Sequence, residues 1–428
     1  MFLAISNNLV IAQQTLSLKQ IIDLSIKNSK QLNVSKARID LANASLVAAK
    51  NNQLPNFNIS GSYLRILQPN IDLAYKSGNT SGGNAPSAPP KINQAAYGIA
   101  NISYPIYAGG KIKYGIESAK YLQQAASLDE ENDKDAITLN AINAFINIYK
   151  ANLTVDLLKN DLEVSRKRDS TFSRLEQNGL LPRNDLLKVQ LQTSTIELNL
   201  LEAQSNLELA SINLNLMLGT GGNIIPVLDT TGLNNMSVGS IDEYLSKAVQ
   251  NRKDLTSLGI RKKAIQSIIK SAKSDAYPSI ALTGGYVAAY VPKFITITNA
   301  INAGIGVQYN LSSLWKANSK LLEAKARDAE LLADQQLLTD AITIQVNQSY
   351  QSYILSQKKI DVYAKSILQA KENYRITKNK YDNSLATLTE LLDADIASQQ
   401  ATLNYSLARA DAIASYNKLL QSAGLLHN

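Results

Sequence analysis

The sequence predicts a mainly α-helical fold with a small β part, built as a two-fold internal repeat of long coiled helices with one β-hairpin in each copy. Three observations carry this reading. The chain repeats itself, proline and glycine stay out of six long windows, and two regions between those windows alternate apolar and polar residues.

The repeat sets the organisation. Ala48-Ala49-Lys50, Leu54-Pro55, Gly61 and Tyr63 return as Ser271-Ala272-Lys273, Tyr277-Pro278, Gly284 and Tyr286, at an offset of 223 residues that Leu18 and Ile241 also keep. Farther along, Tyr104, Lys111 and Ala119-Lys120 return as Tyr309, Lys316 and Ala324-Lys325, and Asn178 with Leu186-Leu187 returns as Asn383 with Leu391-Leu392. This second offset is 205, so the 18 residues between 223 and 205 fall inside the first hairpin, which has the longer loop. Two copies of one unit in a single chain point to an architecture built around an axis. The expected divisions are 1–12, a remnant of a secretory signal; 13–220, the first repeat, with its hairpin at about 53–107; 221–237, a linker; and 238–428, the second repeat, with its hairpin at about 277–312. Val10 and Ala12 occupy the small-residue positions before a cleavage at Gln13, without the basic stretch that normally opens such a signal.

The helices follow from where helix breakers are missing. Proline costs about 3 kcal/mol in a helix interior and glycine about 1 kcal/mol. All ten prolines avoid the windows 18–52, 111–178, 185–218, 241–275, 314–383 and 389–422, and only Gly115 and Gly259 interrupt them. Apolar residues keep helical steps within them, as in Ile142, Ile146, Tyr149, Leu153 and Leu157, and again in Leu338, Ile342, Val346, Tyr350 and Tyr353. Two windows approach 70 residues, roughly 100 Å of helix at 1.5 Å per residue, too long for a compact domain. Pro182 is expected to end one long helix and start the next.

The hairpins have a period of two. Ile280, Leu282, Gly284, Tyr286, Ala288 and Tyr290 share one face of an outgoing strand, and Ala303, Ile305, Val307, Tyr309 and Leu311 share one face of its return. The first copy gives Phe57, Ile59, Gly61 and Tyr63 outward, and Gly98, Ala100, Ile102, Tyr104 and Ile106 back. Pro105 has Asn310 as its counterpart, so the two strand-to-helix bends need not match. Strands of about ten residues with one apolar face and flanking aromatics fit a membrane β-barrel wall. The same alternation fits a pair of hairpins capping a helical bundle. Four strands cannot close a barrel, and open strand edges cannot face lipid, so strands that span a membrane need several copies of the chain. The segment 68–93, with its Ser-Gly-Asn tract and Pro86, Pro89 and Pro90, suits a solvated loop.

Composition excludes most chemistry. There is no Cys, which removes disulfides, thiol nucleophiles and an N-terminal lipid-modified Cys. The single His is His427, which argues against imidazole catalysis and His-ligated metals. The net charge of +8 is spread along the chain rather than gathered into a block, so nucleic acid is not an expected partner. No stretch of 18 apolar residues predicts a transmembrane helix. No G-x-S-x-G, Walker or dinucleotide motif occurs. No enzyme activity, cofactor or metal is expected.

The two-fold repeat, the order of long helix, strand hairpin and very long helix, and two matching helical tips together resemble the TolC-like outer-membrane efflux protein family over nearly the whole chain. The tips read Asn178-Gly179-Leu180-Leu181-Pro182-Arg183-Asn184-Asp185-Leu186-Leu187 and Asn383-Ser384-Leu385-Ala386-Thr387-Leu388-Thr389-Glu390-Leu391-Leu392-Asp393-Ala394. The resemblance implies a homotrimer whose strands form a 12-stranded outer-membrane β-barrel continuous with a periplasmic α-helical barrel. It implies the outer membrane of a Gram-negative bacterium and a large periplasmic part. The expected function is the passive exit duct of a tripartite efflux pump or type I secretion system. Its expected partners are a periplasmic adaptor (membrane fusion protein), an inner-membrane transporter and outer-membrane lipid. The alternative is a periplasmic α-hairpin adaptor or scaffold without a membrane barrel.

By position in the family motif, Glu390 and Asp393 correspond to acidic rings at the periplasmic entrance, where a ring of carboxylates would attract cations. The competing reading makes them helix-start charges favoured by the helix dipole. Asp185 and Tyr381 match the pair that helps hold the entrance shut. The sequence departs from the family at Ala386, where a closure-stabilising Arg is expected, leaving closure to weaker contacts or to others such as Arg183. Tyr63, Tyr104, Tyr286, Tyr309 and Trp315 are the expected membrane-interface aromatics, with Lys316 beside them.

Overall fold

The computed structural model describes residues 14–67, 93–220, 224–227, 238–292, 294–315 and 318–426. The expected signal remnant, the loop over 68–92, the linker apart from 224–227, Lys316 and His427 lie outside them. The elements run β1 (Gln14–Ser17), α1 (Leu18–Asn28), α2 (Lys30–Asn51), β2 (Asn56–Arg65), β3 (Gln94–Tyr107), α3 (Lys111–Gln177) and α4 (Arg183–Leu218). The second half runs β4 (Ile224–Val227), α5 (Ile241–Asn251), α6 (Lys253–Lys273), β5 (Ser279–Val291), β6 (Ile295–Gln308), α7 (Ser319–Asp382) and α8 (Leu388–Ser422). The predicted long helices are present, with α3 at 67 residues and α7 at 64.

The chain divides into two compact units, each drawn from both repeats. One comprises Met1–Ile39, Ala126–Leu258 and Asp334–Asn428. Its largest core joins Ile21 of α1 to Ile142, Phe145, Ile146 and Ile148 of α3, Leu214 and Leu218 of α4, and Ile413 of α8. A second core joins Tyr244 and Ala248 of α5 to Ile342, Val346 and Tyr353 of α7 and Leu419 of α8. Along α4, the buried Leu186, Val189, Thr193, Ile196, Leu200 and Ala203 alternate steps of three and four, the spacing of a coiled-coil seam. Val155 and Leu162 of α3 face that seam, and Ser165 and Thr193 share a buried hydroxyl hydrogen bond of 2.7 Å across it.

Two of the predicted helical windows are each broken once, although neither break contains proline or glycine. The breaks fall at Ser29 and Arg252, where the chain turns extended with ψ of 118° and 124°. The two positions differ by 223 residues, so the break belongs to the repeat. Side-chain bonds overrule helix propensity here. Ser29 Oγ accepts from the Leu32 N–H at 3.2 Å and starts α2. Arg252 binds Asp254 at 2.6 Å and donates to Gln345 Oε1 at 2.7 Å and to the Ser422 carbonyl at 3.2 Å. In the first repeat, Asn28 Nδ2 donates to the Leu218 carbonyl at 2.5 Å. Each short helix therefore closes the end of the return helix of its own repeat. Those ends carry left-handed Gly219 (φ 66°) and Gly424 (φ 69°), 205 residues apart. A four-residue parallel pair, β1 with β4, completes this unit.

The other unit comprises Asp40–Ala125 and Gly259–Ala333. Its sheet has the order β2-β3-β5-β6, antiparallel throughout, so β2 and β6 are its edge strands. Cross-strand register bears out the predicted faces within the strands, whereas Tyr309 and Leu311, expected on the returning strand, lie beyond the end of β6, Leu311 in a 3-10 turn. Phe57 pairs with Ile102, and Ile102 with Gly284; Ile59 pairs with Ala100, Ala100 with Tyr286, and Tyr286 with Ile301; Tyr104 pairs with Leu282, and Leu282 with Ile305. These residues form one apolar face, and its edge members are largely uncovered, with Ile59 75% and Ile301 78% exposed. The opposite face carries Asn58, Ser60 and Ser62 beside Asn101, Ser103, Thr283 and Asn302. Gly285 lies between two of these amides, and a Cβ there would sit 3.0 Å from Asn101 Oδ1 and 3.1 Å from Asn302 Oδ1. The strand-to-helix bends do differ between repeats. Pro105 sits at a register shift in β3, whereas Asn310 Oδ1 accepts from Ser312 N–H at 3.2 Å and caps a 3-10 turn.

Candidate functional site

The two helical tips share one geometry at the 205-residue offset. After α3, Gly179 is left-handed (φ 71°), with Gly179 N–H on the Glu176 carbonyl at 2.8 Å and Leu180 N–H on the Leu175 carbonyl at 2.9 Å. After α7, Ser384 takes the same conformation (φ 59°), with Ser384 N–H on Tyr381 at 2.9 Å and Leu385 N–H on Lys380 at 2.7 Å. Glycine adopts this conformation freely; serine there costs about 1–2 kcal/mol. The first long helix thus stops at Gln177 through a glycine end motif, and Pro182 serves only as the N-cap of α4. Pro182 has no side-chain bond to offer, whereas its counterpart Thr387 forms a full capping box with Glu390.

Capping decides the electrostatics of Glu390. Its Oε2 accepts from the Thr387 N–H at 2.6 Å and the Thr387 hydroxyl at 3.0 Å, while Thr387 Oγ1 accepts from the Glu390 N–H at 3.2 Å. The backbone bond from Thr387, then its hydroxyl and the charge of Lys380, hold the Glu390 carboxyl below the ordinary glutamate range. Glu390 and Asp393 are both exposed, and Asp393 has no ion pair among the described residues. Asp185 occupies the position of Glu390 in the first tip and meets Lys188 Nζ at 3.3 Å.

Below the tips, Phe172, Leu186, Val189, Leu388 and Leu392 form a small core, with Leu181 and Tyr381 packed on it. The Phe172 and Tyr381 rings stack at 6.3 Å and 10°. Burial, then the charges of Asp185 and Asp382, raise the Tyr381 hydroxyl above its ordinary pKa. Asp185 and Tyr381 are therefore electrostatic neighbours, but no hydrogen bond joins them among the described residues. Arg183 pairs with Glu176 of its own tip, at 3.5 Å.

Sequence reasoning missed the strongest polar link near the tips. Arg168 of α3 meets Asp395 of α8 at 2.5 Å, with side chains 14% and 15% exposed. Burial, reinforced by the charge of Asp395, pushes the carboxyl of Asp161 up from its ordinary value. Asp161 lines a cavity of about 230 Å³ between α3, α4 and α8, beside Gln192, Asn199 and Gln400. The spacing of Leu388, Leu392 and Asp395 carried the signal, since steps of four and three put Asp395 on the inner face and leave Asp393 off it.

In the sheet unit, Tyr63, Tyr104 and Tyr286 share the apolar face. Tyr63 lies at the loop end of β2 and donates to Gln94 Oε1 at 2.8 Å; Tyr286 lies at mid-strand and donates to Asn299 Oδ1 at 3.3 Å. Tyr104 lies toward the helix end of β3, and Tyr309 directly follows β6. Trp315 follows a 3-10 turn and is 71% exposed.

The sequence profile described as "Outer membrane efflux protein" matches residues 21–220 and 244–425. The chain belongs to the outer membrane efflux protein family. It is an outer-membrane protein of that family, and its fold is that of TolC-like channels. Comparison with curated proteins by sequence finds no match. Among solved structures, VceC of Vibrio cholerae superposes with a TM-score of 0.78 at 18% identity, covering 95% of this chain and 96% of VceC. The CmeC outer membrane channel of Campylobacter jejuni gives 0.78 at 18% identity, covering 96% and 86%. The open state of the MtrE outer membrane channel of Neisseria gonorrhoeae gives 0.73 at 18% identity, covering 96% and 89%.

Proposed function

We propose that this outer membrane efflux protein is the passive exit duct of a tripartite efflux pump or type I secretion system. It works as a homotrimer with a periplasmic adaptor and an inner-membrane transporter, and it is gated at its helical tips. One observation carries the reading. Among the described residues, the four-stranded sheet has a continuous apolar face and two unpaired edges, β2 and β6. A lipid-facing sheet must have no free edge, because unpaired backbone groups in hydrocarbon cost several kcal/mol each. Pairing β2 of one copy with β6 of the next removes every edge, and three copies give a barrel of 12 strands. The long helices then form the periplasmic tunnel, and the duct itself performs no chemistry.

In this reading Glu390 and Asp393 form the acidic rings of the entrance, and Asp185 with Tyr381 favours closure. The test is planar-bilayer conductance of purified protein, comparing wild type with Glu390→Ala plus Asp393→Ala. Small cation-selective currents, blocked by multivalent cations in wild type only, are expected. Currents indifferent to the substitutions would remove the two carboxylates from the gate and keep the duct. Protein that stays monomeric and soluble without detergent, and gives no channel, would favour the periplasmic scaffold.

A further inference from the structure

The end of the sheet from which the helices leave carries cations that the duct reading does not use. Lys111 and Lys320 share one carboxylate, Asp275, at 2.8 and 3.7 Å. Lys113 of α3 and Lys270 of α6 both approach the ring of Tyr114, with their Nζ atoms 5.9 and 5.6 Å from its centroid. Both are exposed, and neither has an ion pair among the described residues. The nearby Glu117 accepts instead from the Tyr121 hydroxyl, at 3.4 Å. A tyrosine ring attracts an exposed ammonium only weakly. Two like charges gathered on one ring still repel. The helix dipole favours Lys270 in the last turn of α6, but it disfavours Lys111 and Lys113 in the first turn of α3, which holds no acidic residue. Helix electrostatics alone therefore does not explain the cluster.

We propose that this end of the sheet binds anionic phospholipid, with Lys113 and Lys270 flanking the headgroup phosphate. The inference rests on the reading of the sheet as a membrane wall. Its apolar face begins a few residues away, at Ile280, Leu282, Tyr104 and Val307. A lipid supplies both an anion for the ammonium pair and acyl chains for that face. A free phosphate supplies only the first, and so the lipid is the occupant that fits.

The chain carries its own reporter. Trp315 is the only tryptophan. It follows a 3-10 turn (Leu311–Leu314) that touches the Ser274–Ala276 turn just beyond α6. Full-length protein is reconstituted into phosphatidylcholine vesicles doped equally with brominated phosphatidylglycerol or brominated phosphatidylcholine. Trp315 quenching is then read, and insertion is checked by flotation. The expected result is an association about fivefold tighter for phosphatidylglycerol, the factor one lysine supplies near an anionic surface. Lys113→Gln with Lys270→Gln should lose this preference while floating normally, and Lys113→Arg with Lys270→Arg should keep it. Equal quenching by the two lipids in wild type, or a preference that survives the glutamine pair, overturns the proposal. So does a preference abolished by inorganic phosphate at matched ionic strength, which would identify a soluble-anion site. Protein that floats with neither vesicle overturns the membrane-wall reading and the proposal with it.

Discussion

Arg168 and Asp395, 227 residues apart in sequence, tie α3 to α8 through a guanidinium–carboxylate contact at 2.5 Å that is largely shielded from water. Removing one member of a buried pair costs about 3–5 kcal/mol, because it strands the other charge. With some solvent access on both sides, about 2 kcal/mol is expected for Arg168→Met. Asp395→Asn should cost less, since it also relieves Asp161. Replacing both, as Arg168→Met with Asp395→Leu, should recover most of the loss. Urea unfolding of the detergent-solubilised protein, followed by helical circular dichroism, gives the double-mutant cycle.

Asp161 makes stability depend on pH with the opposite sign to an ion-paired carboxylate. Burial, then Asp395, raises its folded pKa, so the native chain binds this proton more tightly than the unfolded chain. Stability from this group is therefore greatest below the ordinary aspartate value and falls as pH rises through the raised one. Asp161→Asn should raise the melting temperature at neutral pH and flatten the profile across that window. A variant that melts lower at neutral pH, with an unchanged profile, would show that the carboxylate is not strained there.

The elements that could be read from the sequence were those that repeat or alternate over long stretches. The long helices were legible because proline is so costly to a helix that its absence marks them. The sheet faces were legible because a period of two fixes which side chains lie together. The breaks at Ser29 and Arg252 were not, because they are made by hydrogen bonds to distant groups such as the Leu218 and Ser422 carbonyls rather than by breaker residues. β1 and β4 are too short to show any period. At the tip, Thr387-Leu388-Thr389-Glu390 spells a capping box, so Glu390 invited two readings at once. Arg168 and Asp395 lie in separate repeats, and neither stands out until the helices pack.

Glu390 is both a helix cap and a candidate ring charge, and glutamine separates the two. Gln can keep the bond to the Thr387 N–H while removing the charge. Glu390→Gln should leave helix stability nearly unchanged, whereas Glu390→Ala exposes both capping donors to water. If the ring charge governs the pore, both variants should lose block by multivalent cations to a similar degree. An effect confined to Glu390→Ala would assign it to the cap. Because capping lowers the folded pKa, the cap's contribution is present above the ordinary glutamate value and is lost as pH falls through the lowered one.

The left-handed glycines should differ in their tolerance of a side chain. A Cβ added at Gly179, in the first tip, would meet nothing within 4 Å among the described residues. Gly424 would bring a Cβ to 3.0 Å from the Asn251 carbonyl carbon and 3.1 Å from the Arg252 nitrogen, both backbone atoms. Gly179→Ala should therefore cost only the conformational penalty, about 1–2 kcal/mol. Gly424→Ala adds a backbone displacement at the Arg252 break and should be the more damaging. Melting temperatures of the two single variants test the order.

Tyr381 contributes a ring and a hydroxyl, and substitution separates the two. Its ring stacks on Phe172 within the tip core, so Phe172→Ala should cost about 3 kcal/mol through the cavity it opens. Tyr381→Phe keeps the ring and removes only the group whose ionisation Asp185 opposes, so stability should change by less than about 1 kcal/mol. If Asp185 and Tyr381 favour closure, Tyr381→Phe should raise the resting conductance with the melting temperature unchanged, and Asp185→Asn should do the same. Adding the second substitution to the first should then bring little more. Wild-type conductance in both single variants would confine Tyr381 to packing and move the closing contact elsewhere on the tips, with Arg168 and Asp395 the next pair to substitute.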